Sequence, residues 1–393
     1  MVRNPKGGSD LSKKCILAMA LFCFLGALGA ASYQGFAWNG LEPSSVNMAL
    51  GGSPVGVVNH WHKDPLCAYG NPAFASLGEG IAYSCTSYLY MHKSNILKTE
   101  NLEYRAALLG VSYHGFALLL PALGNSNSAG VELGEFAVSD STGGLVDNFS
   151  LNEDSSTLGL SVNLPAALAL MAPGVFPKYV RHLALGANWV SNASDSRPDP
   201  DNEGVLFSLK KAESVNLGLS ACLGSTLQSG FDLEYSFGAA YINAFDGKAE
   251  YSGQASGDPI YKRLSVGGAI SLSAENPHYS QGHGLASAVR NLCSGRVLLG
   301  AAEEFSDDAP LLGFGCEAGV FDTIFLRAGY HHDKAGNISG QTYGWGVNIH
   351  YRDLFSARLN HALFPRGRLR SQKSAYDYGV SANILGLYQL LSK

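Results

Sequence analysis

The chain has 393 residues, of which only 15% are charged, and its formal net charge is −5 at pH 7. A soluble protein usually has about a quarter of its residues charged, and the negative balance argues against a nucleic-acid-binding protein. Beyond residue 31, the chain has no run of the roughly 18 apolar residues that a membrane-spanning helix needs. Its apolar residues are spread thinly, as in a β-barrel whose strands are apolar on one face only.

Residues 1–31 have the layout of a cleavable secretory signal peptide. Basic residues precede an apolar stretch from Cys15 to Leu25, and the small residues Gly29-Ala30-Ala31 form a cleavage site. Cleavage there would remove four basic residues and one acidic residue, leaving a net charge of −8. An uncleaved anchor helix is the alternative. A barrel exported by such a signal is expected in the bacterial outer membrane.

Residues 32–79 form the next unit, and we expect them to be a plug, or hatch. From Met48 to Leu77 the sequence is rich in Gly and Pro and has neither a helical nor a strand period. Irregular backbone with unpaired amides cannot face lipid, but it is tolerated inside protein or a wet lumen. The sequence therefore predicts a plug that is enclosed by residues 80–393.

Residues 80–393 are predicted to form an all-β, transmembrane antiparallel barrel of about 14 strands. The first strands are Gly80–Tyr90 and Glu103–Tyr113, and His114-Gly115 is a hairpin turn into Phe116–Leu123. Later strands alternate apolar and polar residues over roughly the 9 to 11 positions that a tilted membrane strand requires. The apolar phase of four strands comprises Leu158, Leu160, Val162, Leu164; Val215, Leu217, Leu219, Ala221, Leu223; Leu264, Val266, Gly268, Ile270, Leu272; and Tyr343, Trp345, Val347, Ile349, Tyr351.

Aromatic residues close to the strand ends favour an interfacial girdle. The pairs are Tyr343 with Tyr351, Tyr179 with Trp189, and Phe231 with Tyr241. Polar stretches between the strands are predicted loops. They are Ser139–Ser155, Asn192–Asn202, Asp246–Asp258, Ser273–Cys293 and Asp333–Gly340, with Phe321-Asp322 as a short turn on the other side.

The polar phase of the strands is predicted to face the lumen. It contains four charged residues, which we expect to pair with each other or with the plug: Arg327, Arg358, Asp232 and Glu234. Phase alone also predicts that Leu217→Arg impairs membrane assembly, whereas Ser220→Arg is tolerated.

The N-terminal motifs resemble the signature of the FadL and PorV-like outer-membrane barrels. They are Met48–Val58, Asp64, Ala68 and Tyr69-Gly70-Asn71-Pro72-Ala73. Phe325–Tyr330, Gly344–Val347 and Leu354–His361 are similar to the C-terminal half of the PorV-like proteins. The resemblance implies import of long-chain fatty acids or other hydrophobic molecules or, as the alternative, a partnership with secretion machinery in protein export or surface attachment.

The resemblance also implies candidate site residues and partners. Asn71, Pro72 and Ala73 would form the hatch that occludes the barrel. Trp61, Phe74 and Leu77 are candidates for ligand contact, with packing of the plug against the wall as the alternative. Membrane lipids and a hydrophobic small molecule are the expected partners, and no cofactor is implied.

Other chemistry has little support in the sequence. His60 and His62 could present two imidazoles on one side of an extended segment, but no third ligand accompanies them. Five cysteines follow the signal peptide, without the spacing of a disulfide framework. An outer-membrane acyl hydrolase is the enzyme alternative, but no Gly-x-Ser-x-Gly motif is present. We therefore expect a protein that is not an enzyme. A soluble all-β protein is the third alternative.

Overall fold

The computed structural model describes residues 40–52, 64–91, 102–122, 127–139, 145–169, 172, 174–198, 209–226, 231–251, 257–274, 295–306, 311–320, 323–333, 338–351, 354–366, 371–383 and 386. The predicted signal peptide, Trp61, both histidines of the His60-Trp61-His62 motif and the Phe321-Asp322 turn lie outside these residues. No helix in the described ranges has the length and apolar content needed to cross a membrane.

The described residues form seventeen antiparallel strands and a few short helices. The strands are β1 Gly80–Met91, β2 Leu102–Tyr113, β3 Phe116–Pro121, β4 Ala129–Ser139, β5 Leu145–Asn163, β6 Val180–Pro198, β7 Leu209–Thr226, β8 Phe231–Ile242, β9 Lys248–Tyr251, β10 Asp258–Pro259, β11 Arg263–Ala274, β12 Gly295–Ser306, β13 Leu311–Val320, β14 Ile324–Asp333, β15 Ile338–Tyr351, β16 Phe355–Arg366 and β17 Ser371–Ala382. The helices are α1 Ser45–Ala49, α2 Cys67–Gly70, a 3-10 helix Pro72–Leu77 and α3 Leu164–Ala169.

Strand pairing runs around a ring and returns to its start, because β17 pairs with β1. Strands β3 and β4 share one position, since both lie between β2 and β5. The short strands β9 and β10 extend the edge of β7, while β8 pairs directly with β11. The ring therefore has fourteen positions, which confirms the predicted β-barrel and its strand number.

The predicted phase of the strands is confirmed on the outer wall, which is apolar. The exposed residues there are large and hydrophobic: Leu158, Leu160, Leu185, Trp189, Leu217, Leu219, Leu264, Ile270, Leu272, Phe314, Leu326, Trp345, Ile349, Tyr378 and Val380. Successive side chains of a strand point to opposite faces, so the residues between them point into the ring. The outer surface is thus the less polar one, the reverse of a water-soluble barrel.

The inner wall is polar and buried. Its members include Ser84, Thr157, Asn188, Asn216, Ser220, Ser265, Glu317, Arg327, Thr342, Asn348, Arg358, Asn360 and Asp377. Ser220 has the predicted inward phase, but it has no exposed surface, and its hydroxyl lies 3.0 Å from His182 Nε2. Because an arginine would have no space there, the structure argues against the tolerance of Ser220→Arg that strand phase alone predicts.

The first predicted strands and the turn between β2 and β3 are confirmed. His114 and Gly115 have φ values of 48° and 80°, as a two-residue hairpin turn requires. Three predicted loops contain strand residues: Leu145–Ser155 belongs to β5, β6 continues to Pro198, and Lys248–Tyr251 forms β9. Polar residues on both strand faces led to the prediction of loops, but strand pairing can continue beyond the band of exposed apolar residues on the outer wall. Leu164 does not continue β5 but begins α3.

Candidate functional site

The residues that precede β1 pack against the inner wall. We call residues 40–52 and 64–79 the inner segment. All of α1 and α2 is buried, as are Pro72, Ala73, Phe74 and Ser76 of the 3-10 helix. Helix α1 contacts β14 to β17, whereas the 3-10 helix contacts β5 to β7, and to a lesser extent β2 and β3, on the far side of the ring. The inner segment thus crosses the lumen.

The Asn-Pro-Ala motif begins the 3-10 helix and fixes it to the wall. Asn71 Oδ1 accepts a hydrogen bond of 3.1 Å from the Ala73 amide, and Asn71 Nδ2 donates one of 3.1 Å to Leu219 O of β7. Pro72 suits the first helical position, where an amide hydrogen would have no helical partner. Asn71 therefore caps the helix and docks it with one side chain.

Two glycines of the wall leave room for the backbone of the Asn-Pro-Ala motif. Gly186 of β6 and Gly218 of β7 are paired across the sheet. A Cβ atom added to Gly186 would lie 2.6 Å from the Ala73 nitrogen, and one added to Gly218 would lie 2.8 Å from it. Such separations are too short for any side chain, so only glycine lets the wall approach the backbone of Pro72 and Ala73 this closely.

Neutral hydrogen bonds complete this contact. Asn188 Nδ2 donates to Ala68 O at 2.9 Å. Ser161 Oγ donates to Ala73 O at 3.1 Å, and it lies 2.8 Å from Ser76 Oγ. All the partners are uncharged. We call Ser161, Gly186, Asn188 and Gly218 the neutral seat.

A second glycine surface receives α1. A Cβ atom on Gly315 of β13 would lie 2.6 Å from Leu50 Cα, and one on Gly329 of β14 would lie 2.8 Å from the Gly51 nitrogen. Thr342 Oγ1 of β15 donates to Ala49 O at 2.8 Å. The end of α1 therefore rests directly on the backbone of the wall.

Charged groups also hold the inner segment on the side of the barrel where α1 lies. The Arg358 guanidinium lies 2.7 Å from Asp64 Oδ1, and both side chains are almost completely buried, at 2% and 0% exposure. Arg358 also contacts Ser84 of β1. Gly379 lies between Arg358 and Ser84 in the strand register, so the arginine can lie flat against the wall.

A second chain of charged groups ends at α1. Arg327 Nε lies 2.6 Å from Glu317 Oε2, and Arg327 Nη1 donates to Asn360 Oδ1 at 3.0 Å. Asn360 Nδ2 donates to Asp377 Oδ1 at 2.7 Å, and Asp377 Oδ2 accepts a 2.8 Å hydrogen bond from the Ser45 amide. With Arg358, Gly315, Gly329 and Thr342, these residues form the charged seat.

The four charged residues predicted to face the lumen lie on the inward phase and have partners. Arg358 pairs with the inner segment, as expected, whereas Arg327 pairs with the wall residue Glu317. Asp232 lies 3.6 Å from Arg181, and Glu234 accepts a hydrogen bond of 3.4 Å from Ser271. The predicted pairing with the inner segment is therefore confirmed for Arg358 alone, because the other three contact wall residues outside the predicted set.

Phe74 and Leu77, two of the candidate ligand contacts, pack between the inner segment and β1 to β3. The cavity beside them measures about 30 Å³ and is lined by Ala82, Gly110 and Leu119. That volume is about the share of one water molecule in the liquid. In this arrangement the two side chains pack against the wall, and their contact with a ligand stays a prediction.

A larger cavity of about 220 Å³ lies beside α1. Its walls combine Leu41, Met48 and Phe364 with the polar Arg263 and His331. Ligand pockets usually measure about 300–1,000 Å³. The cavity therefore fits a small molecule or one end of a longer chain.

A third cavity lies where one barrel position is divided between two strands. Strand β3 ends at Pro121 and β4 begins at Ala129, and a cavity of about 530 Å³ lies at this break. Its lining joins the exposed Arg105 and Tyr378 to the buried Thr86 and Ala129. Both phases of the wall therefore border it.

Burial also shifts the ionisation of two groups in the inner segment. It raises the pKa of the Cys67 thiol well above its ordinary value of 9.0, and the nearby Asp64 carboxylate adds to that shift. Burial likewise raises the pKa of Tyr69 from 10.0 to about 12. Both groups are thus held in the neutral form.

No protein-family model and no curated protein sequence matches this chain. Several solved structures are similar to it at low sequence identity. The toluene transporter TbuX of Ralstonia pickettii is 12% identical, with 86% of this chain and 97% of that one covered and a TM-score of 0.40. A FadL homologue of Pseudomonas aeruginosa is 11% identical, with 91% and 99% covered and a TM-score of 0.33. The toluene transporter TodX of Pseudomonas putida is 10% identical, with 91% and 100% covered and a TM-score of 0.40.

Proposed function

We propose that this protein is an outer-membrane channel for hydrophobic molecules, with long-chain fatty acids as the first class to test. The observation that carries the proposal is the combination of an inside-out barrel with an inner segment that is buried against two sides of its inner wall. The inner segment acts as the hatch, and solute passes when it moves.

The apolar outer wall supports the membrane location. Exposed residues such as Leu160, Leu326 and Ile349, at 64%, 62% and 63%, would face water in a soluble barrel. A strand barrel can span a bilayer because its backbone groups pair within the ring. Lipid acyl chains are therefore the natural neighbours of this surface.

The lumen supports a gated route rather than an open pore. The 220 Å³ cavity beside Met48 could receive the first part of a hydrophobic solute. The cavity at the break between β3 and β4 offers a way out through the wall, and such a route would let the solute reach the bilayer without crossing water. In both cases the solute avoids the polar outer layer.

We also propose that the protein is not an enzyme. On the outer wall, His361 Nε2 lies 3.3 Å from Ser374 Oγ, and the His361 ring lies between those of Trp345 and Tyr376. Acyl transfer by a Ser/His pair usually needs a third group that orients the imidazole. Among the described residues, no carboxylate contacts His361. Replacing Ser374 with Ala should leave uptake unchanged.

The test is uptake of a labelled long-chain fatty acid by the barrel refolded in liposomes, with toluene as a second probe. Asn71→Ala removes both the helix cap and the hydrogen bond to Leu219 O, so it should alter the uptake rate. Gln372→Ala, on an exposed position of β17, is the control and should leave it unchanged. Saturable uptake that changes with Asn71→Ala supports the channel.

A folded barrel that neither binds nor passes either probe would contradict the channel. It would favour the alternative, a barrel that serves secretion machinery in protein export or surface attachment. One observation suits that alternative: β5, β6 and β7 have 19, 19 and 18 residues, compared with 10 in β13 and β14. The longer strands extend this part of the sheet, and a protein could contact the extension.

A further inference from the structure

The inner segment is held differently on its two sides, and we infer that it opens on one of them. We propose that the 3-10 helix leaves the neutral seat on β5 to β7 while α1 stays on the charged seat. The solute then passes along β5 to β7. This inference rests on the proposed channel, because it states where the inner segment separates from the wall to let solute pass.

The charged seat resists separation. Lifting the inner segment there would part Asp64 from Arg358 and the Ser45 amide from Asp377, all of them buried. Leaving one member of a buried ion pair without its partner is strongly destabilising. These anchors lie before and after residues 53–63, so both flanks of that stretch are fixed to the same wall.

The neutral seat separates more readily. The 3-10 helix is held there by hydrogen bonds from Asn71 Nδ2 to Leu219 O and from Ser161 Oγ to Ala73 O, with Ser76 Oγ 2.8 Å from Ser161 Oγ. Water that enters as the helix lifts can replace each of these bonds, so the net loss is small. The moving part is a 3-10 helix, whose hydrogen bonds have poorer geometry than those of an α-helix.

Glycines flank the part that would move. Gly70 precedes the motif, and Gly78 and Gly80 follow the 3-10 helix, with Gly80 at a φ of +97°. Glycine accepts large backbone changes at low steric cost. The helix can therefore move between these points while α1 and β1 keep their positions.

The chemistry of the solute favours the same side. Once the 3-10 helix has left, the neutral seat exposes the backbone of Gly186 and Gly218 together with the Asn188 side-chain amide and the Ser161 hydroxyl. On the charged seat, an apolar solute would have to lie against Arg358, Asp377 and Glu317 and would remove solvent from them. Burying charges beside apolar groups is costly. A hydrocarbon route is therefore expected along β5 to β7.

The first experiment locks the neutral seat. Ser76 Oγ and Ser161 Oγ lie 2.8 Å apart, so Ser76→Cys with Ser161→Cys, in a variant without its native cysteines, should form a disulfide. We expect the oxidised form to take up labelled fatty acid at least tenfold more slowly than the reduced form. Equal uptake by the oxidised and reduced forms would overturn the inference.

The second experiment needs no substrate, so it separates this inference from the proposed function. Ser161 and Thr342 are matched, since each is a buried wall hydroxyl that donates to an inner-segment carbonyl, at 3.1 Å and 2.8 Å. Ser161→Cys should react with a small methanethiosulfonate at least tenfold faster than Thr342→Cys. Equal rates, or a faster Thr342→Cys, would overturn the inference. If the parent protein passes no probe, the proposed function fails and these rates alone decide the inference.

Discussion

Arg358 and Asp64 are 294 positions apart in the sequence, yet the guanidinium and the carboxylate lie 2.7 Å from each other in the lumen. One belongs to the penultimate strand of the barrel and the other to the inner segment. This ion pair therefore joins the beginning of the chain to the closing strands. Its burial means that neither charge can be removed alone without leaving the other in a poorly solvated place.

Arg358→Met should destabilise the folded barrel by about 3–5 kcal/mol, because it leaves the Asp64 carboxylate buried without its partner. Adding Asp64→Asn should recover a large part of that loss, since the carboxylate is then neutral. The free energy of unfolding in urea, measured on the barrel in liposomes, tests both expectations.

The control for this prediction is the Lys262–Asp246 pair, whose side chains are 31% and 72% exposed. Asp246→Asn should cost less than about 1 kcal/mol, because solvent screens exposed pairs. A double variant no more stable than Arg358→Met alone would contradict the assigned role of the Arg358–Asp64 pair.

Gly186→Ala should displace the hatch without harming the barrel. The added methyl group would meet the backbone of Pro72 and Ala73, and overpacking of this kind costs about 1–3 kcal/mol. We expect roughly tenfold higher conductance across a planar bilayer, because about 1.4 kcal/mol corresponds to a factor of ten.

Gly110→Ala is the matched control for the change at Gly186. Gly110 also faces the inner segment, but its added Cβ would lie 3.5 Å from Pro65 Cγ, an ordinary contact distance. Its conductance should match that of the parent protein. Similar conductance for both alanine variants would show that the Gly186–Gly218 surface does not position the hatch.

The barrel could be predicted from the sequence because the alternation of residues such as Leu217 and Gly218 is a local signal. The wall residues that hold the inner segment could not be predicted in the same way. Gly186, Gly218 and Gly379 look like ordinary strand glycines, and only the three-dimensional structure shows that the Asn-Pro-Ala motif or an arginine lies over them. Within the motif, Asn71 before Pro72 does carry a local signal for a helix cap.

The loops were harder to predict for a related reason. The upper parts of β5 and β6 lose the apolar alternation once they leave the belt, so pattern alone assigns Asn192 and the residues after it to a loop. What extends these strands is pairing with a neighbour, such as Asn192 with Ser155. Pairing between distant residues is not visible in a single sequence.

Leu217→Arg should reduce membrane assembly, because Leu217 is 38% exposed on the apolar wall. An arginine near the bilayer midplane of such a barrel costs about 2–4 kcal/mol. Thr226→Arg is the control at the inward, exposed end of the same strand, where Thr226 Oγ1 donates to Asp232 Oδ1 at 2.6 Å. Folding yield in liposomes is the measurement, and equal yields would contradict the assigned strand phase.

High pH should loosen the inner segment. Cys67 and Tyr69 have pKa values raised above their ordinary 9.0 and 10.0, so both are neutral while seated and ionise more readily once released. Groups with a raised pKa in the folded state contribute their full stability below the ordinary pKa and lose it as the pH rises. The packing of the inner segment against the wall should therefore be fully stable below about pH 9 and should weaken steadily toward pH 12. Conductance of the barrel in a planar bilayer should rise over that interval. Cys67→Ala with Tyr69→Phe removes both ionisable groups and should flatten the rise, so an unchanged pH profile in that variant would assign the effect to other groups.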